Sequence, residues 1–261
     1  RRKKMTAIAK KKKKASGVIQ GRGEKVFEAV MYVLVTLVAL TMIFPLLNII
    51  ALSFSSERAV VSNEVGIWPV EFTTNTYVQV VKTTPIFLAI KNTVVLTVVG
   101  TAISMFCTIC TAYSLSKKRL YGRTVFLGVI TFTMIVNAGL IPNFLLIKDL
   151  GLMNTYWAIW LPSAISTWNM LVMKTFFSAL PDSLEESALI DGANDLRILW
   201  SIALPLSIPS IATITLFYAV GFWNSYFNVT LYISKSGLKV LPQVLHEVVS
   251  KVNDVMNQAQ L

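Results

Sequence analysis

The sequence predicts an all-α integral membrane protein, and three observations predict it. Only 14% of its 261 residues are charged and 54% are hydrophobic, whereas a soluble domain carries about 25% charged residues. Five uncharged segments reach the ~20 residues that a helix needs to cross a ~30 Å hydrocarbon core. Lys and Arg are concentrated in a few connections rather than spread over a surface. The net charge of +11 misleads here, because residues 1–25 hold eleven basic residues and one acid, Glu24, leaving a nearly neutral body. A basic body for nucleic acid is thereby excluded, and no nucleic-acid partner is expected.

The chain divides into a basic tail, residues 1–25, and a membrane domain, residues 26–261. The spans are expected at about 29–54, 94–115, 124–147, 150–173 and 210–233. The first apolar run, Ala29–Phe54, far exceeds the ~7–15-residue core of a signal peptide, so it reads as an uncleaved span. The run Ile198–Ser234 is too long for one span. Pro205 and Pro209 divide it into a short interfacial helix and a fifth span, since proline removes a backbone donor and clashes with the preceding turn.

Orientation follows the positive-inside rule. The tail, with Arg1, Arg2, Lys3, Lys4, Lys10–Lys14, Arg22 and Lys25, is expected in the cytoplasm. The next connection on that side packs Lys117, Lys118, Arg119 and Arg123 into seven residues, whereas Ser55–Phe87 on the opposite side holds only Arg58 and Lys82. In that outer loop Thr73–Thr76 is a candidate cap for a short helix running towards Lys82. Trp68 suits either an external partner or an interfacial anchor. Cys107 and Cys110 form a CxxC within an apolar run, without the further ligands that zinc needs, and read as small packing residues.

The segment between spans four and five, residues 181–204, breaks the basic pattern of the inner loops. Asp182, Glu185, Glu186, Asp191 and Asp195 oppose only Arg197. It reads as two short helices joined at Gly192. Ser183 with Glu186, or Asp182 with Glu185 one register earlier, has capping-box spacing. Asn194 or Asp195 caps the second helix, whose apolar face is Leu196, Leu199, Trp200 and Ala203. Gly192 permits either a positive φ or close backbone approach at the joint.

Glu186-Ser187-Ala188, Gly192 after three residues, Ile202 after nine more, and then Leu204-Pro205 resemble the EAA loop of ABC importer permeases. Every spacing of the family pattern is kept, and Ser187 in place of the first alanine is the single departure. Asp191-Gly192-Ala193 and Pro209 resemble the form found in carbohydrate-uptake, maltose-permease-like members. So do Asn92-Thr93, the string from Ala112 to Lys117, Gly122-Arg123, Gly139-Leu140-Ile141-Pro142, Leu150-Gly151-Leu152, Asn154-Thr155, Thr175-Phe176-Phe177 and Phe222-Trp223-Asn224. The resemblance covers roughly residues 27–236.

The resemblance implies a multi-pass permease of a prokaryotic cell membrane, with six spans and both ends cytoplasmic. Five spans are visible, so a sixth apolar run is expected beyond Leu261. It implies a second homologous permease subunit, two ATPase subunits and an extracytoplasmic solute-binding protein as partners. The loop is expected to couple to the ATPases through Glu185, Glu186, Ser187, Ala188, Asp191, Gly192, Ala193, Leu204 and Pro205. No G-x-x-x-x-G-K-[ST] phosphate loop occurs in the sequence. ATP and Mg are therefore expected on the ATPase subunits, and no cofactor on this chain. Two readings of Glu186 stand side by side, an ion pair with the ATPase and a cap with Ser183.

Polar residues within spans are candidates for the substrate path. Asn48, Asn92, Asn137, Asn169, Asn224 and Asn228 qualify, and the best pairs of amide and aromatic face are Trp168-Asn169 and Trp223-Asn224. The competing reading is hydrogen bonding between helices. Enzyme chemistry finds no residue set around the single histidine, His246, so a transport subunit rather than an enzyme is expected, with a carbohydrate, and more narrowly an oligosaccharide, as cargo. The alternatives are an ABC importer permease for peptide, phosphate or a metal ion, and an ion-coupled secondary transporter. The last would bury ionisable groups at mid-membrane, where these spans have none.

Overall fold

The apolar run expected over residues 29–54 lies within one long helix, α1 (Arg22–Ser53), in the computed structural model, which describes residues 22–259. The basic tail falls almost wholly outside those residues. Among the described residues the regular structure is entirely helical. The chain forms two compact units, divided between Val80 and Val81.

The first unit holds α1, the short helix α2 (Glu57–Val61) and the start of α3 (Asn75–Thr83). The stretch Val26–Ser53 is long and apolar enough to cross a membrane. As far as Leu47 its side chains, Leu34 and Phe44 among them, are exposed all round, a pattern that suits lipid rather than water. The following loop is built by side chains. Ser56 caps α2 by accepting from Ala59 N–H at 3.2 Å. Phe54 stacks on Phe72 with centroids 5.4 Å apart, and Tyr77 donates to Ser53 Oγ at 2.8 Å. Asn48 is committed here, donating to the Gly66 carbonyl at 2.7 Å. Thr73 accepts from Asn75 N–H at 3.2 Å where α3 begins, as its place in the sequence suggests.

The second unit is organised around α4 (Ile86–Ser116). At 1.5 Å per residue, 31 residues extend about 46 Å, so this helix can also cross a membrane. Ala89, Thr93, Leu96, Gly100, Ser104, Thr108 and Ala112 make a buried stripe at helical spacing. Mostly small side chains at that spacing let other helices approach closely. Here α4 packs chiefly against α8 (Thr167–Ser178) and α11 (Ile208–Trp223). The core they share includes Met105, Met170, Met173, Ile214 and Phe222.

Three expected spans are interrupted. The run over 124–147 forms α5 (Arg123–Ile135) and α6 (Leu140–Asp149), bent by 113°. Gly139 at φ +85° donates its N–H to Asn137 Oδ1 at 2.9 Å in that break, which is the role taken by Asn137. The run over 150–173 contains α7 (Trp157–Trp160) and the start of α8, with Pro162 between them and Ser166 capping α8. The run over 210–233 spans α11 and α12 (Tyr226–Tyr232), separated at Asn224 and Ser225. Among the described residues two helices are long and apolar enough to cross a membrane, or up to four if each of two bent pairs makes one crossing. The five continuous spans expected from hydropathy are not seen, because turns built on Gly139, Pro162 and Asn224 sit inside uncharged runs.

After a 3₁₀ turn (Ser236–Leu238), residues 241–259 form an amphipathic helix, α13 (Leu241–Ala259). Side chains of the interior hold this end. Asn92 Nδ2 donates to the carbonyls of Gly237 and Lys239, both at 2.9 Å, and Thr93 accepts from Leu241 N–H at 2.8 Å. Asn154 Oδ1 accepts from Ser234 and Lys235 N–H at 2.7 and 3.0 Å. Asn92 is therefore a structural clamp.

Candidate functional site

The acidic segment after Pro181 folds as two helices. The first is α9 (Asp182–Ile190). The second, α10 (Asp195–Leu206), contains a wide π turn over Leu199–Ala203 and meets α11 at 85°. Pro181 occupies the capping position of α9 and no side-chain cap forms. The expected capping boxes of Ser183 with Glu186 and of Asp182 with Glu185 are thus absent, because the helix starts one residue early and Glu185 is engaged elsewhere. At the other end Gly192 adopts φ +79°. Its N–H bonds the Leu189 carbonyl at 3.0 Å and the Ala193 N–H bonds the Ala188 carbonyl at 2.9 Å, a Schellman closure that favours glycine. Asn194 then caps α10, its side chain accepting from Arg197 N–H at 2.8 Å.

The basic residues after α4 face this pair of helices. Lys117 pairs with Glu185, and Arg119 pairs with both Glu185, at 3.2 Å, and Asp195. Lys118 reaches Asp182 at 3.5 Å with both groups largely in solvent. The Lys117 ammonium also lies 4.3 Å from the centre of the Tyr113 ring, which meets Phe177 edge-on at 5.8 Å. The positive connection and the negative segment, opposite in sign to each other in the sequence, neutralise one another in the fold.

The residues expected to couple to a partner separate into two groups. Glu186, Ser187, Asp191, Gly192 and Pro205 are exposed, while Ala188, Ala193 and Leu204 are half-buried. Glu185 is turned towards Lys117 and Arg119, with its side chain 21% exposed. The anticipated apolar face is also divided: Leu199 and Ala203 are buried, but Leu196 and Trp200 are exposed. Together with Ile190, 86% exposed, they form apolar surface around the joint. Ile190 has a signal in the sequence, an apolar residue placed directly before Asp-Gly at a helix end.

A concavity of about 410 Å³ lies between α8 and α11. It is lined by Ser163, Asn169, Phe217, Ser225 and Asn228, with no charged side chain. Asn169 is brought to it. Trp168, Trp223 and Asn224 are exposed and outside its lining. Asn228, another of the polar candidates, and Ser225 lie in the lining with Asn169. Such a surface offers hydroxyl and amide hydrogen bonds beside aromatic faces. Among the described residues no group of His, Cys, Asp and Glu could hold a metal ion.

One long helix with a buried small-residue stripe, apolar enough to cross a membrane, and a polar two-helix arm beyond it define a helical membrane protein. The chain belongs to the family of binding-protein-dependent transport system inner membrane components, whose family model matches residues 16–245. It is 41% identical over 225 residues to the polygalacturonan/rhamnogalacturonan transport system permease protein YtcP of Bacillus subtilis (strain 168), covering 86% of this chain and 79% of that protein. It is 44% identical over 206 residues to Protein LplC of the same organism, covering 79% and 70% respectively. A solved bacterial ABC transporter involved in the import of the acidic polysaccharide alginate superposes with a TM-score of 0.81 at 37% identity. That match covers 87% of this chain and 81% of the other.

Proposed function

We propose that this chain is the membrane-spanning permease subunit of an ABC importer for carbohydrate, with oligosaccharides of acidic sugars as its cargo. The observation that carries this reading is the likeness to the alginate importer over 87% of the chain. The name of YtcP, which specifies galacturonan-type polymers, points to the same class of cargo. In this reading a second, related permease completes the pathway and two ATPase subunits supply the energy. An extracytoplasmic binding protein delivers the sugar. The tail and the Lys117–Arg123 connection face the cytoplasm by the positive-inside rule, which puts α9 and α10 on the same side to dock on an ATPase. Glu186, Ser187 and Asp191 supply polar contacts there, and Ile190 and Leu196 supply apolar area. The cleft around Asn169 and Asn228 is a neutral part of the sugar path. Carboxylates of an acidic cargo would be met by cations of other subunits.

The test is reconstitution of the complete complex in proteoliposomes with its binding protein. ATP hydrolysis and uptake are expected to rise with oligogalacturonides or oligoalginates and to stay basal with a peptide. Stimulation by peptide and not by any saccharide would overturn the cargo assignment.

A further inference from the structure

Arg119 is the point at which three elements are tied together. It lies just beyond the end of α4, and its guanidinium forms an ion pair with Glu185 on α9 and donates a hydrogen bond to Asp195 on α10. Those carboxylates stand on opposite sides of the Gly192 joint. The joint has little steric restraint of its own: a Cβ built on Gly192 would meet nothing within 4 Å. The Schellman closure fixes the end of α9, and buried Leu199 and Ala203 seat the far half of α10 in the core, which leaves the turn at 192–194 and the first turn of α10 to be held by side chains. The base of the clamp is firm. Leu120 N–H bonds the Lys117 carbonyl at 3.2 Å, Arg123 N–H bonds the Leu120 carbonyl at 3.3 Å, and Arg123 Nε bonds the Leu115 carbonyl at 2.8 Å. Lys117 holds Glu185 from the other side, with its own side chain 18% exposed. A planar guanidinium has donors enough to serve two carboxylates at once, which an ammonium does less well.

We propose that Arg119 is a positioning residue that makes α9 and α10 one rigid arm and fastens it to α4, so that displacement of the arm moves α4 instead of flexing Gly192. This rests on the reading of the chain as an ABC permease, in which the arm receives motion from an ATPase. Lys118 supplies the control, since its exposed pair with Asp182 touches α9 alone.

The experiment compares Arg119→Gln, Asp195→Asn, their double variant and Lys118→Gln in the full reconstituted complex, reading ATP hydrolysed per sugar imported. Hydrogen exchange of residues 192–197 is followed in parallel in the same complexes without sugar. Asn194 still caps α10 in Asp195→Asn. Arg119→Gln and Asp195→Asn are expected to retain the ATPases and raise the ratio about fivefold, the low end of typical coupling between sites. They are also expected to speed exchange at 192–197, with the double variant no worse than either single one and Lys118→Gln unchanged. If Arg119→Gln fails to assemble, Arg119→Lys is read in the same way. Arg119 variants that match Lys118→Gln in both measurements, or a double variant whose effects add, would overturn the clamp. The exchange measurement needs no transport, so a wild-type complex that ignores every sugar would refute the cargo and leave this inference open to decision.

Discussion

At the scale of single residues, two backbone positions with positive φ show how local chemistry decides form. Gly192 sits at +79° with open space around its α-carbon, so a substitution there costs through backbone strain and not through a clash. A non-glycine residue in that region loses about 1–2 kcal/mol. Gly192→Ala is therefore expected to leave insertion intact and weaken ATPase docking, with Gly192→Val worse because a branched Cβ fits this region poorly. Pull-down of the ATPases with the purified variants checks this; full retention of wild-type docking by Gly192→Val would count against it. Glu71 is the second case, a carboxylate residue at φ +52°. Hydrogen bonds from Arg58 first, and then from Ser56, hold its carboxyl below the usual range. A carboxyl lowered by folding adds stability above its unfolded value, about 4.3 for Glu, and that contribution is lost as pH falls through the lower folded value. A spin label at Val61 is expected to gain mobility as pH falls through that lowered value, and Arg58→Gln should move the midpoint upward, towards the ordinary one. An unchanged midpoint would mean that the pair does not hold the loop.

At the scale of elements, α4 shows what one span contributes and why hydropathy understates it. Its small-residue stripe lets aromatic side chains come so close that a Cβ on Gly100 would lie 2.8 Å from Trp160 Cδ1 and 2.9 Å from two Phe222 ring atoms. Both rings are buried in the shared core, and Trp160 Nε1 donates to the Leu96 carbonyl at 3.0 Å, so the indole has little room to retreat. Gly100→Ala is expected to cost about 1–3 kcal/mol, the range for overpacking a core, seen as earlier thermal unfolding of the detergent-solubilised complex. An unaltered transition would show that the rings move aside. Hydropathy located α1 and α4 because both are long and uninterrupted. It joined the later runs because Asn137, Gly139, Pro162 and Asn224 carry no charge, and a window that averages polarity passes over a turn made of uncharged residues. The Gly192 joint and the Asn194 cap were legible because each is a local signal. The partner of Glu185 was not, since the pairing with Lys117 joins positions 68 residues apart in the chain and no local spacing encodes it.

At the scale of the whole molecule, the division of labour between subunits is what the residues of this chain leave to others. It has no phosphate loop in its sequence, so the purified chain alone is expected to hydrolyse no ATP, whatever sugar is added. Its cleft between α8 and α11 carries amides and hydroxyls but no charge, so in the proposed sugar path it would hydrogen-bond the hydroxyls of the cargo and offer its carboxylates no ion pair. The buried Asn169 and the exposed Asn228 meet there, whereas Trp223 lies outside the lining. Losing one such hydrogen bond costs about 0.5–1.5 kcal/mol. Asn169→Ala and Asn228→Ala are thus each expected to raise the KM for uptake roughly fivefold, within the span that this energy allows, with assembly unchanged. Trp223→Ala should leave KM alone. The size of the effect should also be the same for an acidic oligosaccharide and for its carboxyl-reduced form, because the amides read the part that the two share. Equal KM for all three variants and wild type would remove this cleft from the sugar path. An effect confined to the acidic form would mean instead that Asn169 and Asn228 bind the carboxylate, and that the charge of the cargo is read on this subunit after all.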